Sequence, residues 1–248
     1  MTLRLTTGTA ADLLAVGAVA THAAVPWLLR LGRSPNGLRR YDRATMLLAL
    51  CALAAAVAGT APPAGPPGQA TPTPGTLGSP PLAAGLPWGP AVALAAAVTG
   101  AALPWAAARC GGRVLRRHTA GPGTARNRAV NAAHLTGCAV GEEVLWRLAG
   151  PLTLAAMGAP PVLAVALCLT GFCLLHPPQS GWRSLPYVAV AAVLFTAAAA
   201  LGGVLAASLA HIAHNTVLVC CTAVPRKEVG SKGSVGEVPR LPAPTAWD

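Results

Sequence analysis

The 248-residue sequence predicts an all-α fold, a polytopic transmembrane helical bundle of about seven spans. Hydrophobic residues make up 54% of the chain and charged residues only 10%, and the mean hydropathy is +0.55. This composition is not that of a water-soluble domain. Apolar runs recur along the chain, and the basic residues gather in short stretches between them. A large separate soluble domain is therefore excluded.

Seven apolar runs are long enough to be considered membrane helices. They cover residues 10–29, 44–60, 88–108, 133–157, 159–177, 187–202 and 204–223. Gly202 and Gly203 separate the last two runs, and a glycine pair favours a tight turn at the membrane surface over a helix interior. The alternative, one long bent helix, reduces the number of spans to six.

The distribution of basic residues predicts the orientation. Lys and Arg together number 18 against 7 Asp and Glu, which gives a net charge of +11. Apart from Arg4 and Arg147, the basic residues lie in 30–43, in 109–128, at Arg183 and in the tail. With seven spans and the N-terminus outside, all of these fall on the cytoplasmic side. We therefore expect a multi-pass plasma-membrane protein with a cytoplasmic C-terminus, and the Ala, Pro and Gly bias is typical of a bacterial GC-rich genome.

The same pattern divides the chain into regions. Residues 61–88 contain nine prolines and no charge, which favours an extended extracytoplasmic linker. The expected regions are helices one and two (1–60), this linker (61–88), helix three with a basic cytoplasmic loop (89–132), a helical core (133–223) and a disordered cytoplasmic tail (224–248).

Nucleic-acid binding is not expected, although the chain is basic. Topology already explains the positions of the basic residues, and aromatics are only 4% of the chain, too few for a base-stacking surface. The seven cysteines show no metal-ligand spacing and are expected to be buried small hydrophobes. The expected partners are the lipid bilayer and a peptide or membrane-protein substrate, and the oligomeric state stays open.

The fourth run carries charges that are costly inside a membrane and are therefore candidates for function. Glu143 and Arg147 are four residues apart and share a helix face, which makes them natural ion-pair partners. Glu142 lies about 140° from Arg147 around the helix axis, so it is not the ion-pair partner and is available for another role, such as proton transfer. A buried pair that only fixes helix packing is the structural alternative.

Two later runs add polar residues that can face the same cavity. Phe172 and His176 are four apart just before Pro177, which is expected to end helix five. His211 and Asn215 share a face of helix seven. A carboxylate, two imidazoles and an amide can activate a water and stabilise an oxyanion.

The same side chains leave zinc or another divalent metal open as a cofactor, with Glu142, His176 and His211 as ligands. Helix ends placed by the apolar runs put His176 near the cytoplasmic side and His211 closer to the outside. The expected depth mismatch is on the order of 10–15 Å. His22, in the first run, is expected to pack against a neighbouring helix.

In combination, the polar residues form three ordered motifs, Glu142-Glu143-x-x-x-Arg147, Phe172-x-x-x-His176 and His211-x-x-x-Asn215. Their order and separations resemble the three signatures of the CPBP intramembrane proteases, the CAAX-protease and bacteriocin-processing (Abi) family. The resemblance covers about residues 133–222, and the first 130 residues add hydrophobic spans without a signature.

The resemblance implies an intramembrane endopeptidase whose catalytic core is 133–223. By similarity, Glu142 is the general base, His176 helps hold the water, and His211 with Asn215 lines the oxyanion site. Glu143, Arg147 and Phe172 would support this geometry. The family has been described both as metallo- and as glutamate-dependent, so the metal stays open. Two rival hypotheses are a catalytically silent scaffold or immunity-type protein, and a transporter or proton relay.

Overall fold

The computed structural model describes residues 7–29, 37–59, 89–117 and 125–225. Helices dominate these residues. In chain order they are α1 (Thr7–Leu28), α2 (Gly37–Gly59), α3 (Gly89–Cys110), α4 (Ala125–Glu143), a π-helical segment (Val144–Ala149), α5 (Gly150–Ala156), α6 (Pro161–Leu174), the short α7 (Pro177–Ser180), a 3₁₀ turn (Trp182–Ser184) and α8 (Leu185–Cys220). The expected linker 61–88 and the tail beyond residue 225 lie outside the described residues.

The described helices form a membrane fold. Large apolar side chains such as Leu28, Leu94, Val162 and Leu205 point outward and are well exposed, as in a protein that faces lipid. Four helical stretches among the described residues are long and apolar enough to cross a bilayer, namely Ala10–Leu28, Gly89–Cys110, Pro161–Ser180 and Trp182–Cys220. The all-α membrane class fits, whereas the expected number of about seven spans is not confirmed by these four stretches.

The glycine pair in α8 forms the expected turn. Gly202 and Gly203 leave the helical conformation, and Gly203 has a φ of 73°, which glycine adopts without strain. The rings of Phe195 and His211 lie 4.8 Å apart, whereas 16 residues of continuous helix would separate them by about 24 Å. The arms 185–201 and 204–220 therefore run antiparallel, and the alternative of one long bent helix is wrong.

The fold also contains a β-ribbon that the sequence analysis did not predict. Strand β1 (Arg113–Arg117) pairs antiparallel with β2 (Cys221–Pro225), with Arg113 opposite Pro225. Residues 113–117 were expected to be loop, and 224–225 to belong to a disordered tail, so both expectations are wrong there. The pairing joins segments more than a hundred residues apart, which local periodicity does not reveal. It also places the ends of α3 and α8 side by side.

Small residues pack α3 against α8. A Cβ at Gly100 would overlap the backbone of Ala210, and Ala96, Ala206 and Ala207 fill the same interface. Small side chains allow membrane helices to approach closely, where van der Waals contact replaces the hydrophobic effect. This contact fixes the second arm of α8, which carries His211.

Candidate active site

The two adjacent glutamates lie at the C-terminal end of α4. Glu142 is 6% exposed and Glu143 is fully buried. The chain continues directly into the π-helical segment 144–149, a rare helix type that is frequent at functional sites. The fourth helical run thus begins at residue 125, earlier than the expected 133, and ends at 156.

Arg147 pairs with Glu143, as the helix geometry predicted. A guanidinium nitrogen lies 3.2 Å from Glu143 Oε1, and the Arg147 side chain is only 3% exposed. The guanidinium carbon sits 3.9 Å from the centre of the Phe172 ring, a cation–π contact. A second nitrogen donates to the carbonyl of Ala192 on α8 at 3.5 Å. Arg147 therefore ties the helix that carries the glutamates to α6 and α8.

His211 lies between the two carboxylates. Its Nδ1 is 2.8 Å from Glu143 Oε1, and its Nε2 is 3.7 Å from Glu142 Oε2. Since a carboxylate accepts hydrogen bonds, Nδ1 carries a proton and donates it to Glu143. The ring stacks on Phe195. The second imidazole nitrogen is thereby directed at Glu142.

The charges of this cluster balance when it holds one mobile proton. Two carboxylates and one guanidinium leave one negative charge, which a proton on Glu142 or a second proton on His211 cancels. Because uncompensated charge is strongly disfavoured in a buried site, the neutral count is the stable one. A proton shared by Glu142 and His211 would give the cluster this neutral count.

His176 follows α6 and faces the same region. Its Nδ1 lies 3.0 Å from the carbonyl oxygen of Phe172, so Nδ1–H donates and Nε2 is left as an acceptor. The Phe172 ring centre lies 4.9 Å from that of His176 and 5.9 Å from that of His211. These two distances limit the separation of the imidazoles to about 11 Å.

The separation of about 11 Å or less excludes most of the expected depth mismatch of roughly 10–15 Å between His176 and His211. Helix α6 ends at Leu174, and α7 (Pro177–Ser180) follows it within the stretch Pro161–Ser180 that is long enough to cross a bilayer. His176 lies between these two helices.

Asn215 is held by His214. The Asn215 Oδ1 lies 3.1 Å from His214 Nδ1, and His214 Nε2 lies 2.6 Å from the hydroxyl of Tyr187. The phenol donates to Nε2, Nδ1–H donates to Oδ1, and the amide nitrogen of Asn215 keeps its donors. Asn215 thus contacts His214 in the described structure, and its amide is oriented by that contact.

The possible metal ligands do not form a metal site in this geometry. Among residues 7–29, 37–59, 89–117 and 125–225, no three His, Cys, Asp or Glu side chains are grouped to hold an ion. Glu142 and His211 are already engaged with protein groups, and His176 donates to a backbone carbonyl. These bonds engage Oε1 of Glu142 and the Nδ1 atoms of His176 and His211.

Two site residues come from helices without a sequence signature. The hydroxyl of Tyr41 donates to Glu142 Oε1 at 2.5 Å. The position of Tyr41 was assigned to the basic stretch 30–43, but α2 begins at Gly37. His22, expected only to pack, is fully buried and hydrogen-bonds both Thr45 and Trp146. His22 could have been identified from the sequence, because a histidine inside an apolar run is unusual. Tyr41 could not, because the arginines around it indicate a loop between helices.

The comparisons with known proteins agree with the motifs. A family model described as type II CAAX prenyl endopeptidase, Rce1-like, matches residues 130–217. No curated protein and no solved structure matches the chain significantly. The matched segment holds all the motif residues, whereas Tyr41 and His22 precede it. Residues 130–217 therefore match an Rce1-like type II CAAX prenyl endopeptidase domain, in agreement with the CPBP/CAAX protease family that the motifs resemble.

Proposed function

We propose that this chain is an intramembrane endopeptidase in which Glu142 activates the hydrolytic water. The observation that carries the proposal is the buried cluster of Glu142, Glu143, Arg147 and His211, in which His211 lies between the two carboxylates. We infer that this cluster is neutral and holds one proton that moves between Glu142 and His211. When the proton resides on His211, Glu142 is a carboxylate base and the Nε2–H of His211 is a donor. One proton position thus supplies both the base and an oxyanion donor.

The reaction follows from these roles. Glu142 takes a proton from a water that His176 Nε2 orients, and the water oxygen bonds to the carbonyl carbon of the substrate. His211 Nε2–H and the amide of Asn215 donate to the resulting oxyanion. The proton on Glu142 then passes to the amide nitrogen, the carbon–nitrogen bond breaks, and the carboxylate is regenerated.

Glu143 has a supporting role in this proposal. One of its oxygens is already shared by Arg147 and His211, and the side chain is fully buried. It holds His211 in the tautomer that directs Nε2 at Glu142, while Arg147 and Phe172 fix Glu143 in place. Loss of Glu143 should therefore impair catalysis through His211.

The substrate in this proposal is a membrane-associated peptide of the CAAX prenyl type, as the family description suggests. The seven helical stretches α1, α2, α3, the run α4–α5, α6 and the two arms of α8 would cross a bacterial plasma membrane, with the N-terminus outside and the C-terminus inside. The side-by-side ends of α3 and α8 support this arrangement, because both would then lie on the cytoplasmic face. The catalytic core is residues 133–223.

The test uses the purified full chain in lipid nanodiscs with fluorogenic peptides that end in a prenylated CAAX sequence. Unprenylated peptides and a membrane-peptide library serve as the comparison substrates. We expect cleavage by wild type, loss of cleavage in Glu142→Gln and His176→Ala, and wild-type cleavage in Val140→Ala. Val140 is the matched control because it lies exposed on the same helix.

A chelator arm separates the two mechanisms of water activation. Activity that persists with chelator supports activation by Glu142 without metal. Activity that the chelator abolishes and zinc restores contradicts this part of the proposal. If no substrate is cut, or if Glu142→Gln still cuts at the wild-type rate, the catalytic proposal fails and a silent scaffold becomes the better hypothesis.

A further inference from the structure

A buried group of polar side chains from the first two helices lies beside Glu142. The indole N–H of Trp146 lies 3.0 Å from His22 Nδ1, and His22 Nε2 lies 2.9 Å from the hydroxyl of Thr45. Thr45 follows Tyr41 by one turn of α2, and the phenol of Tyr41 reaches Glu142 Oε1. The His22 ring lies 5.4 Å from the Tyr41 ring. The hydrogen-bonded set Trp146–His22–Thr45 therefore lies directly beside the residue that bonds the candidate base.

Donor and acceptor chemistry gives these bonds their direction. An indole nitrogen only donates, so His22 Nδ1 accepts and His22 Nε2–H donates to Thr45. Thr45 accepts this bond, and Tyr41 donates to the carboxylate of Glu142.

Burial makes these hydrogen bonds costly to break. His22 and Thr45 are fully buried, and Tyr41 and Trp146 are almost fully so. A buried polar group without a partner costs free energy, so each of these side chains is held in place by its partner. The rings of His22 and Tyr41 also contact each other, with centroids 5.4 Å apart.

The two oxygens of Glu142 are consequently different. Oε1 accepts from the Tyr41 phenol and lies 3.7 Å from the Cys138 thiol. Oε2 faces His211 Nε2 at 3.7 Å, which is longer than a hydrogen bond. A proton taken from water would therefore be received on Oε2, the oxygen that faces His211.

We infer that Tyr41 is a positioning residue that holds Oε1 of Glu142, stabilises its carboxylate form and leaves Oε2 as the proton acceptor. The inference rests on the proposed role of Glu142 as the base. It extends the functional unit beyond the matched segment 130–217 to α1 and α2, because Tyr41 lies on α2 and the His22 ring of α1 packs against the Tyr41 ring. Among the described residues, the other titratable groups near Glu142 are His22, Asp42, Cys138, His176 and His211.

The first experiment measures kinetics of Tyr41→Phe in the full chain. A hydrogen bond to a charged group that exists only in the base form should be worth about a 10- to 100-fold change in kcat. We expect kcat to fall by that factor while KM changes less than about twofold, and the acid limb of the pH–rate profile to move to higher pH. Thr45→Val, which removes a hydrogen bond of the His22 ring that packs against Tyr41, should show the same changes to a smaller extent.

Thr99→Val is the matched control, because it also removes one hydroxyl from a membrane helix but at an exposed position that bonds only its own helix. It should leave kcat and the pH profile unchanged. A Tyr41→Phe enzyme with wild-type kcat and an unmoved acid limb overturns the inference. A rise in KM alone also overturns it, since that result indicates a substrate contact.

A second experiment does not depend on activity. Hydrophobic carbodiimides modify protonated carboxyl groups, and mass spectrometry reports the extent of modification at Glu142. Tyr41→Phe should increase the modification rate at Glu142 at least severalfold, because the carboxylate form has lost a donor. Unchanged labelling overturns the inference even if no substrate is ever cut. An inactive wild type with enhanced labelling in Tyr41→Phe refutes the proposed activity and supports the positioning contact.

Discussion

Arg147→Met gives the most quantitative test of the buried cluster. The substitution removes a guanidinium that lies 3.2 Å from Glu143 and 3.9 Å from the Phe172 ring, while Met fills a similar apolar volume. Removing one partner of a buried ion pair costs about 3–5 kcal/mol, because the other charge is left uncompensated. For a chain of this size that free energy corresponds to a decrease in Tm of roughly 6–20 °C.

The double variant Glu143→Gln/Arg147→Met separates charge from packing. With both charges removed, most of the lost stability should return, but activity should stay low because His211 has lost its carboxylate partner. The assay is thermal unfolding in detergent, in which the fraction of protein that stays monodisperse is measured at each temperature. Peptide cleavage is measured in parallel. The reasoning is refuted if Arg147→Met melts within about 2 °C of wild type, or if the double variant is no more stable than the single one.

The remaining predictions concern the helix contacts and the second imidazole. Gly100→Val should lower the Tm by several degrees, since the new side chain meets the Ala210 backbone. Gly17→Val is the control, because the space around Gly17 is open. An equal decrease in Tm for both variants would contradict this prediction. Gly203→Ala should destabilise by about 1 kcal/mol, because an L-residue at this positive φ is strained, and an unchanged Tm would count against the hairpin turn. His176→Gln should reduce kcat by about 10²- to 10⁴-fold with unchanged folding, and a kcat within threefold of wild type would show that His176 does not orient the water.

Much of the helical framework follows from the sequence, because lipid imposes a simple requirement on it. Each apolar run corresponds to a helix or helix arm, since backbone groups in a bilayer must be satisfied within the segment. Gly202 and Gly203 predicted the turn in α8 for a local reason, because glycine adopts a positive φ without strain. The pairing of Glu143 with Arg147 followed from helical spacing alone.

Other features depend on contacts between distant segments, which local patterns do not encode. The ribbon of β1 and β2 needs one short segment from the middle and one from the end of the described chain, and neither shows a clear strand pattern. The position of His176 is a second example. The apolar run continues to residue 177, whereas α6 ends after 14 residues, before His176. Tyr41 was not predicted as part of a helix, because its charged neighbours placed the expected start of the second helix at residue 44.

The orientation of the site residues required the side-chain geometry as well. The sequence placed His211 and Asn215 on one face, but it did not show that His211 bridges both glutamates while Asn215 pairs with His214. It also left metal binding open, and the described geometry does not group three ligands. The division of labour between Glu142 and Glu143 follows from their hydrogen-bond partners.

Hydrolysis of the preferred peptide in ¹⁸O-labelled water, under single-turnover conditions, tests the central role of Glu142 most directly. The account predicts that wild type places one solvent oxygen in the new carboxylate of the product, that Glu142 itself gains none, and that Glu142→Gln gives no product. Labelled oxygen in the Glu142 side chain would indicate a covalent intermediate. That result, or cleavage by Glu142→Gln at the wild-type rate, would contradict the assignment of Glu142 as the general base.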